Sequence, residues 1–464
     1  MGQFFSSRRS TNGSANERGP LLGSSSQAAN PNRGDPPTQK QLEEHAKHER
    51  VRAGIGAAIV AIFILAVVLV SYFVSDGLPG DPLEAALVVL GRAPVIDGHI
   101  DLPILVRGIY SNNVSSFDLN YPMPGHVDIP RLREGRVGGF FWSAYVGCTD
   151  DRPDFLKPTN QVRDTLEQID LARQIIAHYP ETFQLVTNVD ELQAAIRDGK
   201  IASLIGIEGA HQLGNSLGVL RTYKELGVKY LTLTHTCHNA FADSCGYLEW
   251  MPPRHGGLSH LGETLIKELN RLGILVDLSH TSDSTARQAI QLSEAPVIWS
   301  HSSARAVWNV PRNVPDDVLK LIGEKKGQKD GLIMVNFAPQ FVAAEGFANV
   351  QRVADHIDHI ANVTGKRHVG IGSDFDGIAS VPRGLEDVSK YPQLFAELRS
   401  RGWSRFDLAG LAGTNLFRVM QGAEDVAREK QRDNVIPAWD IYRKRRDIGP
   451  GKSGDVVGDL TDEL

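Results

Sequence analysis

The sequence has few cysteines and lacks both clustered basic residues and a nucleotide-binding glycine motif. Only Cys148, Cys237 and Cys245 occur among 464 residues, and no two form a Cys-x-x-Cys pair. This excludes a thiolate zinc knuckle and a disulfide-dense scaffold, and it makes one disulfide with one spare thiol the simplest arrangement. The formal net charge is -6 and no basic patch stands out, so we expect no nucleic-acid partner.

The first 74 residues divide into a polar stretch and an uncharged apolar stretch. Residues 1–52 are rich in Ser, Asn, Gly, Pro and Gln without apolar periodicity, which predicts a disordered tail. Residues 53–74 carry no charge and are long enough to cross a bilayer. A cleaved signal peptide is the alternative, but a 52-residue polar leader is too long for one and no clear cleavage site follows.

Charges on the two sides of this apolar segment predict its orientation. Lys47, Arg50 and Arg52 precede it, whereas Asp76 and Asp81 follow it. The positive-inside rule then predicts a signal anchor of type II topology, with a cytosolic tail and everything after about residue 75 luminal or extracellular.

Three sequons and the carboxyl terminus also bear on location. Asn113 and Asn362 begin Asn-x-Ser/Thr glycosylation acceptors on the predicted luminal side, whereas Asn12 begins one in the cytosolic tail. The chain ends in Thr-Asp-Glu-Leu, which loosely resembles an ER-retention tetrapeptide without its usual first residue.

Between residues 92 and 427 the chain alternates buried strand patterns with amphipathic helix patterns. We predict eight strands: Val95–Asp97, Val137–Val146, Ile201–Ile207, Tyr230–Thr234, Ile274–Leu278, Val297–Ser300, Leu332–Phe337 and Val369–Ser373. Eight such repeats predict an α/β fold, a closed (β/α)8 TIM-like barrel. A doubly wound sheet is the alternative, but no Gly-x-Gly-x-x-Gly follows the first strand. Residues 75–91 are a predicted linker, and residues 428–464 are a predicted polar extension.

Six of the eight predicted strands end in residues that can bind metals or move protons. His99 and Asp101 follow the first strand, and the others are Glu208, His235, His280, His301 and Asp374. Because a barrel gathers the carboxyl ends of its strands around one mouth, we expect these side chains to share a site.

Five of these residues are potential metal ligands, which is more than one tetrahedral zinc binds. His99, Asp101, Glu208, His280 and His301 would all be used by two metals that share a carboxylate and hold a hydroxide between them. Glu208 lies on the third predicted strand, between the two other pairs, and is the natural bridge.

Several motifs resemble those of the membrane (renal-type) dipeptidases, a family of zinc metallopeptidases. They include Asp-Gly-His-Ile-Asp-Leu-Pro from Asp97, Ile-Gly-Ile-Glu-Gly-Ala-His from Ile205, Asp-Leu-Ser-His from Asp277 and Gly-Ser-Asp-Phe-Asp-Gly from Gly372. The resemblance extends from about residue 95 to residue 422. It implies a barrel hydrolase with two Zn²⁺ that cleaves dipeptides.

The resemblance also implies a role for each site residue. His99 and Asp101 would hold one zinc, His280 and His301 the other, and Glu208 both. His235 would contact substrate and the oxyanion, Arg312 would grip the substrate carboxylate, and Asp374 would handle protons. The linked cysteine pair of the family corresponds to Cys148 and Cys237.

Three positions depart from the family pattern. Ile100 stands where many members have Asn, Ala338 replaces an aromatic pocket residue of vertebrate members, and Trp308 replaces a cysteine of their second disulfide. The metal set is intact, so these changes affect the expected substrate preference. A related binuclear amidohydrolase and a non-catalytic membrane-anchored binding protein are the alternative functions, and a homodimer stays open.

Overall fold

The structure is a computed structural model that describes residues 38–74, 77–148, 155 and 160–445. The predicted tail up to residue 37, with Asn12, and the terminal Thr-Asp-Glu-Leu lie outside the described residues. The chain forms two compact units, residues 1–74 and 75–464.

The first unit contains one long helix, α1, over Gln39–Val74. Within it, Gln39–Val68 is long and apolar enough to cross a membrane, and an 18-residue window of this stretch has a mean hydropathy of 2.5. Residues 39–52 are helical, although we predicted them as part of the disordered tail. That prediction was wrong because the stretch is rich in strong helix formers such as Gln, Glu, Lys and Arg, which extend a helix already formed by the apolar segment.

The described part of the second unit is built on nine parallel strands. They are β1 (Val95–Ile100), β2 (Val137–Ala144), β3 (Phe183–Leu185), β4 (Ile201–Glu208), β5 (Val228–Thr232), β6 (Leu275–Asp277), β7 (Val297–Trp299), β8 (Gly331–Val335) and β9 (Val369–Ile371). Direct pairing of β2 with β4 closes eight strands into a ring, in the order β1, β2, β4, β5, β6, β7, β8 and β9. The predicted barrel and its eight strands are confirmed. The additional strand, β3, pairs only with the first residues of β4.

Helices surround the ring. They are α2 (Pro82–Leu90), α3 (Leu102–Tyr110), α4 (Ile129–Glu134), α5 (Gln161–His178), α6 (Val189–Arg197), α7 (Leu217–Glu225), α8 (His260–Leu272), α9 (Asp283–Leu292), α10 (Asp316–Leu319), α11 (Pro339–Val342), α12 (Val350–Thr364), α13 (Tyr391–Ser400), α14 (Arg405–Ala409) and α15 (Asn415–Arg432). Two predicted boundaries were wrong. Helix α2 occupies the predicted linker, since its apolar side chains Ala85, Ala86 and Leu90 are buried. Helix α15 continues five residues past the predicted domain end at 427. Its buried residues lie in its first half, and the helix-forming residues that follow extend it.

The barrel interior and the amino-terminal end of the barrel share one apolar cluster. Side chains inside the ring, such as Tyr230 and Met334, pack with Leu192 of α6 and with Leu416 and Met420 of α15. A Cβ added to Gly422 of α15 would lie 2.6 Å from Pro296, which immediately precedes β7. These helices therefore close the end of the barrel opposite the strand termini that carry the predicted site.

Candidate metal centre

The strand ends bring the predicted metal ligands together. His99 lies on β1, Glu208 is the last residue of β4, and His280 and His301 lie just after β6 and β7. All four are buried, and His99 and His301 are fully inaccessible. Residues separated by up to about 200 positions therefore form one compact group at the barrel mouth.

Glu208 lies between two sets of ligands. Its Oε1 is 3.0 Å from His280 Nε2 and 3.3 Å from His301 Nε2, whereas its Oε2 is 3.7 Å from His99 Nε2. The Nε2 atoms of His280 and His301 are 3.1 Å apart. One carboxylate oxygen therefore faces each set, as expected for a carboxylate shared by two metals.

The half of the site around His99 is rich in carboxylates. Asp101 Oδ2 lies 3.1 Å from His99 Nε2. Asp374, which follows β9, completes a group with these two residues whose ligand atoms lie within 4.8 Å of one another. Asp374 Oδ2 accepts a hydrogen bond of 2.9 Å from the amide of Asn336, a residue that sequence reasoning missed.

Buried nitrogen and oxygen atoms that could bind a metal in this group have no hydrogen-bond partner in the described part of the chain. They include His99 Nε2 and Asp101 Oδ1. An unpartnered buried polar atom is costly, and a bound cation would satisfy these atoms. The set of imidazole nitrogens and carboxylate oxygens fits zinc and other divalent transition metals.

The protonation of the histidines follows from burial and from the neighbouring charges. Burial, together with the Arg312 guanidinium, holds the pKa of His280 well below its usual value, and burial has the same effect on the pKa of His301. Both are neutral imidazoles, the form that binds metals. Burial also lowers the pKa of His99, but the carboxylates of Asp101 and Glu208 outweigh burial and raise that pKa to about 10.

The backbone is held in unusual conformations at two of these positions. His280 and Asp374 have φ values of 64° and 67°, in the left-handed region that disfavours side chains with a Cβ. Each such residue costs on the order of 1–3 kcal/mol and is typical of functional sites. Beside them, a Cβ at Gly377 would lie 2.2 Å from Asp101 Oδ2, so only glycine leaves room for that carboxylate.

Contacts outside the ligand set orient the histidine rings. His99 Nδ1 lies 2.8 Å from the Tyr230 hydroxyl, and His301 Nδ1 lies 2.8 Å from the Ser300 hydroxyl. Gly206 makes room for the Tyr230 ring, since a Cβ there would lie 2.1 Å from it. Neither Tyr230 nor Ser300 could be recognised from the sequence, apart from its position inside a predicted strand.

His235 lies at the edge of the group, next to the disulfide. Its Nε2 is 3.8 Å from Glu208 Oε1, and its ring centroid is 4.4 Å from that of His280. Cys148 and Cys237 form a disulfide, and Cys245 is buried and free. Cys148 Sγ lies 3.8 Å from His235 Nδ1, so the cross-link borders the site.

Arg312 is buried beside the histidines rather than exposed on its loop. Its guanidinium donates hydrogen bonds to the Ser302 hydroxyl and to the His301 carbonyl, at 2.9 and 3.1 Å. Its Nε–H has no partner among the described residues. The guanidinium also stacks on Phe341, which packs with two of the residues that depart from the family pattern, Trp308 and Ala338.

The two predicted glycosylation acceptors lie at the surface of the protein. Asn113 and Asn362 are both exposed, as attachment of a glycan requires. Their glycosylation remains a prediction.

The family can now be assigned from sequence comparison. Residues 83–434 match the family model described as membrane dipeptidase, peptidase family M19. The chain belongs to this family. It is a hydrolase of the metallopeptidase class, with dipeptidase activity and a metal cofactor, and the predicted family and enzyme class are confirmed.

Individual relatives agree with this assignment. The chain is 43% identical over 403 residues to the dipeptidase aclJ of Aspergillus oryzae, covering 85% of this chain and 93% of the relative. It is 45% identical over 349 residues to mouse dipeptidase 3, covering 75% and 68%. A solved metallopeptidase of Rhodobacter sphaeroides, bound to a phosphinate mimic of L-Ala-D-Ala, superposes with a TM-score of 0.63 at 27% identity, covering 71% and 99%.

Proposed function

We propose that this membrane dipeptidase hydrolyses dipeptides at a two-zinc site in which Glu208 is shared. The observation that carries the proposal is the placement of the Glu208 carboxylate, with one oxygen towards His99 and the other towards His280 and His301. His99 and Asp101 would hold one zinc, and His280 and His301 the other. When bound, the two ions polarise the scissile carbonyl and supply a water-derived nucleophile near neutral pH.

His235 is suited to stabilise the oxyanion that forms during hydrolysis. Its Nδ1 lies 3.1 Å from the Thr236 hydroxyl, while its Nε2 faces the group around Glu208. With Thr236 donating to Nδ1, the neutral imidazole carries its hydrogen on Nε2. That N–H can then donate to the substrate oxygen as negative charge develops on it.

Asp374 is suited to move the proton between water and the leaving amine. Asn336 holds one of its carboxylate oxygens, which leaves the other oxygen free to take a proton. Asp374 lies within 4.8 Å of ligand atoms of His99 and Asp101, so the proton is taken and returned beside the reacting bond.

Arg312 is suited to bind the carboxylate of the substrate. Two of its N–H groups are bound by Ser302 and His301, which fix the plane of the guanidinium. The unpartnered Nε–H and the second hydrogens of both terminal nitrogens remain for a carboxylate, which a planar fork binds through two charge-assisted hydrogen bonds. Such a clamp would restrict cleavage to the peptide bond next to the terminal residue.

The test compares the kcat/KM of the wild type and of Arg312→Met on a dipeptide and on the matching dipeptide amide. Arg312→Met should lower kcat/KM on a dipeptide by roughly 10- to 100-fold, because a hydrogen bond to a charged group contributes about 1.5–3 kcal/mol. The matching dipeptide amide should be a poor substrate of the wild type, and Arg312→Met should lower kcat/KM on this amide only slightly. Arg312→Lys keeps the positive charge but lacks the planar guanidinium. Its kcat/KM on the dipeptide should therefore lie between those of the wild type and Arg312→Met.

Zinc content, measured on each variant, is the control and should not change. Equal losses on the acid and the amide would contradict the clamp. A wild type that cleaves both substrates equally well would favour an amidohydrolase that ignores the substrate carboxylate.

The same proposal includes a type II membrane topology, with α1 as an uncleaved anchor and the barrel outside the cytosol. It is supported by the apolar stretch of α1 and by the basic residues before it. In sealed vesicles, added protease should remove the amino-terminal tail and spare the barrel. A mature chain that begins just after residue 75 would instead indicate a cleaved signal peptide.

A further inference from the structure

Asp277, the last residue of β6, is a fully buried carboxylate that the mechanism above does not use. Its Oδ1 accepts hydrogen bonds from the backbone N–H groups of Ser279 and Ser300, at 3.1 and 2.8 Å. Its Oδ2 accepts from the hydroxyls of Thr232 and Ser300, both at 2.6 Å. All four partners are donors, which fits the acceptor-only inventory of an ionised carboxylate.

The Ser300 hydroxyl has a single hydrogen, and that hydrogen points at Asp277. Its contact with His301 Nδ1 at 2.8 Å must therefore have the imidazole as donor, and its remaining contact, with the Ser279 hydroxyl, is longer at 3.4 Å. A metal-binding imidazole is neutral and carries one hydrogen. With that hydrogen on Nδ1, the lone pair of His301 lies on Nε2, the atom that faces Glu208.

We propose that Asp277 and Ser300 are positioning residues that order the protons behind the two-zinc site, so that His301 presents its Nε2 lone pair to the metal. This inference rests on the proposed two-zinc function. It assigns Asp277 the role of terminal acceptor, because each hydrogen in the chain points towards it. Partners of this kind fix the tautomer of a ligating histidine and raise its basicity.

The substitution Asp277→Asn has a defined consequence. Because two backbone N–H groups donate to Oδ1, the side-chain oxygen of asparagine must stay at that position. Its NH₂ group then faces the Ser300 hydroxyl as a donor, so the Ser300 hydrogen turns away from residue 277, and His301 Nδ1, at 2.8 Å, is a closer acceptor than the Ser279 hydroxyl at 3.4 Å. The imidazole hydrogen moves to Nε2, the nitrogen that should bind metal. Loss of the correct tautomer by an Asp→Asn change is known to be severe in serine proteases.

Thr232 supplies a matched control for Ser300. Both hydroxyls donate to Asp277 Oδ2 at 2.6 Å, but in the described part of the chain only Ser300 continues to a histidine. Ser300→Ala interrupts the relay, whereas Thr232→Val removes a hydrogen bond of equal length and leaves the relay intact.

The experiment measures zinc affinity by chelator competition on the full chain in detergent. Ser300→Ala should weaken zinc binding by about 10- to 100-fold, the usual effect of removing an outer partner of a ligating histidine. Asp277→Asn should weaken it at least as much, and Thr232→Val should leave it close to the wild-type value. The ¹⁵N shifts of labelled histidine should report a changed tautomer in Asp277→Asn alone.

Each outcome decides the question. Equal effects of Ser300→Ala and Thr232→Val would overturn the relay, since both would then act only on packing. If Asp277→Asn does not fold, as judged from its thermal melt, the Ser300/Thr232 pair decides alone. If the wild type binds no zinc, the two-zinc function itself is overturned. If the wild type binds two zincs and Ser300→Ala binds them with equal affinity, only this inference is overturned.

Discussion

At the carboxyl-terminal end of the barrel, buried imidazoles and carboxylates lie 3.0 to 3.7 Å apart, whereas leucine, valine and methionine side chains fill the opposite end. At the mouth, His280 and Asp374 also hold strained backbone conformations. At the base, Leu416, Val419 and Met420 of α15 pack in the interior cluster. The same strands form both ends, but the side chains at the mouth form the candidate metal centre and those at the base form part of the apolar core.

This difference separates activity from stability. Buried polar groups without partners and left-handed residues each cost free energy of folding, so the mouth destabilises the fold unless metal is bound. A fully buried leucine, valine or methionine at the base contributes about 1.5–3 kcal/mol. Substitutions at the mouth should therefore affect turnover, and those at the base should affect the free energy of unfolding.

The same chemical change at each end gives the largest expected contrast. Glu208→Gln should lower zinc content and reduce kcat by at least about a hundredfold, since even outer partners of metal ligands contribute 10- to 100-fold. Glu424→Gln, on α15 at the base, should keep both zinc and turnover. Glu424 accepts a hydrogen bond from the Val189 N–H, which the glutamine oxygen can also accept.

Metal analysis and steady-state kinetics on the two purified variants measure this contrast. Glutamine has nearly the shape of glutamate, so both variants should fold. Two zincs per chain with wild-type turnover in Glu208→Gln would remove the basis for a shared ligand. A loss of zinc in Glu424→Gln would show that the two ends are coupled.

The mouth was easier to predict from the sequence than the base. Buried runs that end in His, Asp or Glu carry a strong signal, because a barrel places every strand end at one mouth. The eight strands were predicted from buried apolar runs that alternate with helix patterns, and Glu208 was placed between the His99/Asp101 pair and the His280/His301 pair. The grouping of Asp374 with His99 and Asp101 depends on β9 pairing with β1, a contact between residues 274 positions apart, Asp97 and Ile371.

Short or apolar elements at the periphery gave no such signal. Phe183–Leu185 is too short to show a periodicity, so β3 was missed. Helix α2 lies in the predicted linker, and burial of its apolar residues Ala85, Ala86 and Leu90 is what makes it part of the barrel unit. Tyr230, Ser300 and Asp277 could not be recognised, since their roles depend on hydrogen bonds between different strands of the barrel rather than on spacing along one of them.

The base also contains one titratable group whose effect is smaller and depends on pH. Lys229 on β5 is buried, its Nζ donates to the Gly273 carbonyl at 3.2 Å, and Glu424 lies 3.9 Å away. Burial lowers the pKa of Lys229 from 10.5 to about 8, because its charge is poorly solvated there. Between these two values the unfolded chain keeps the proton that the folded chain has lost.

Stability rises with pH wherever the unfolded state binds more protons. The free energy of unfolding of the wild type, relative to Lys229→Met, should therefore be flat below pH 8 and rise between pH 8 and 10.5, by at most about 3 kcal/mol. Denaturant titrations of both proteins across this range measure the difference. If the difference in the free energy of unfolding between the two proteins stays constant with pH, Lys229 is solvated in the folded state. Water would then reach the base of the barrel to a greater extent than its apolar cluster indicates. Turnover at pH 7 should be the same in both proteins, because no part of the proposed site contacts Lys229.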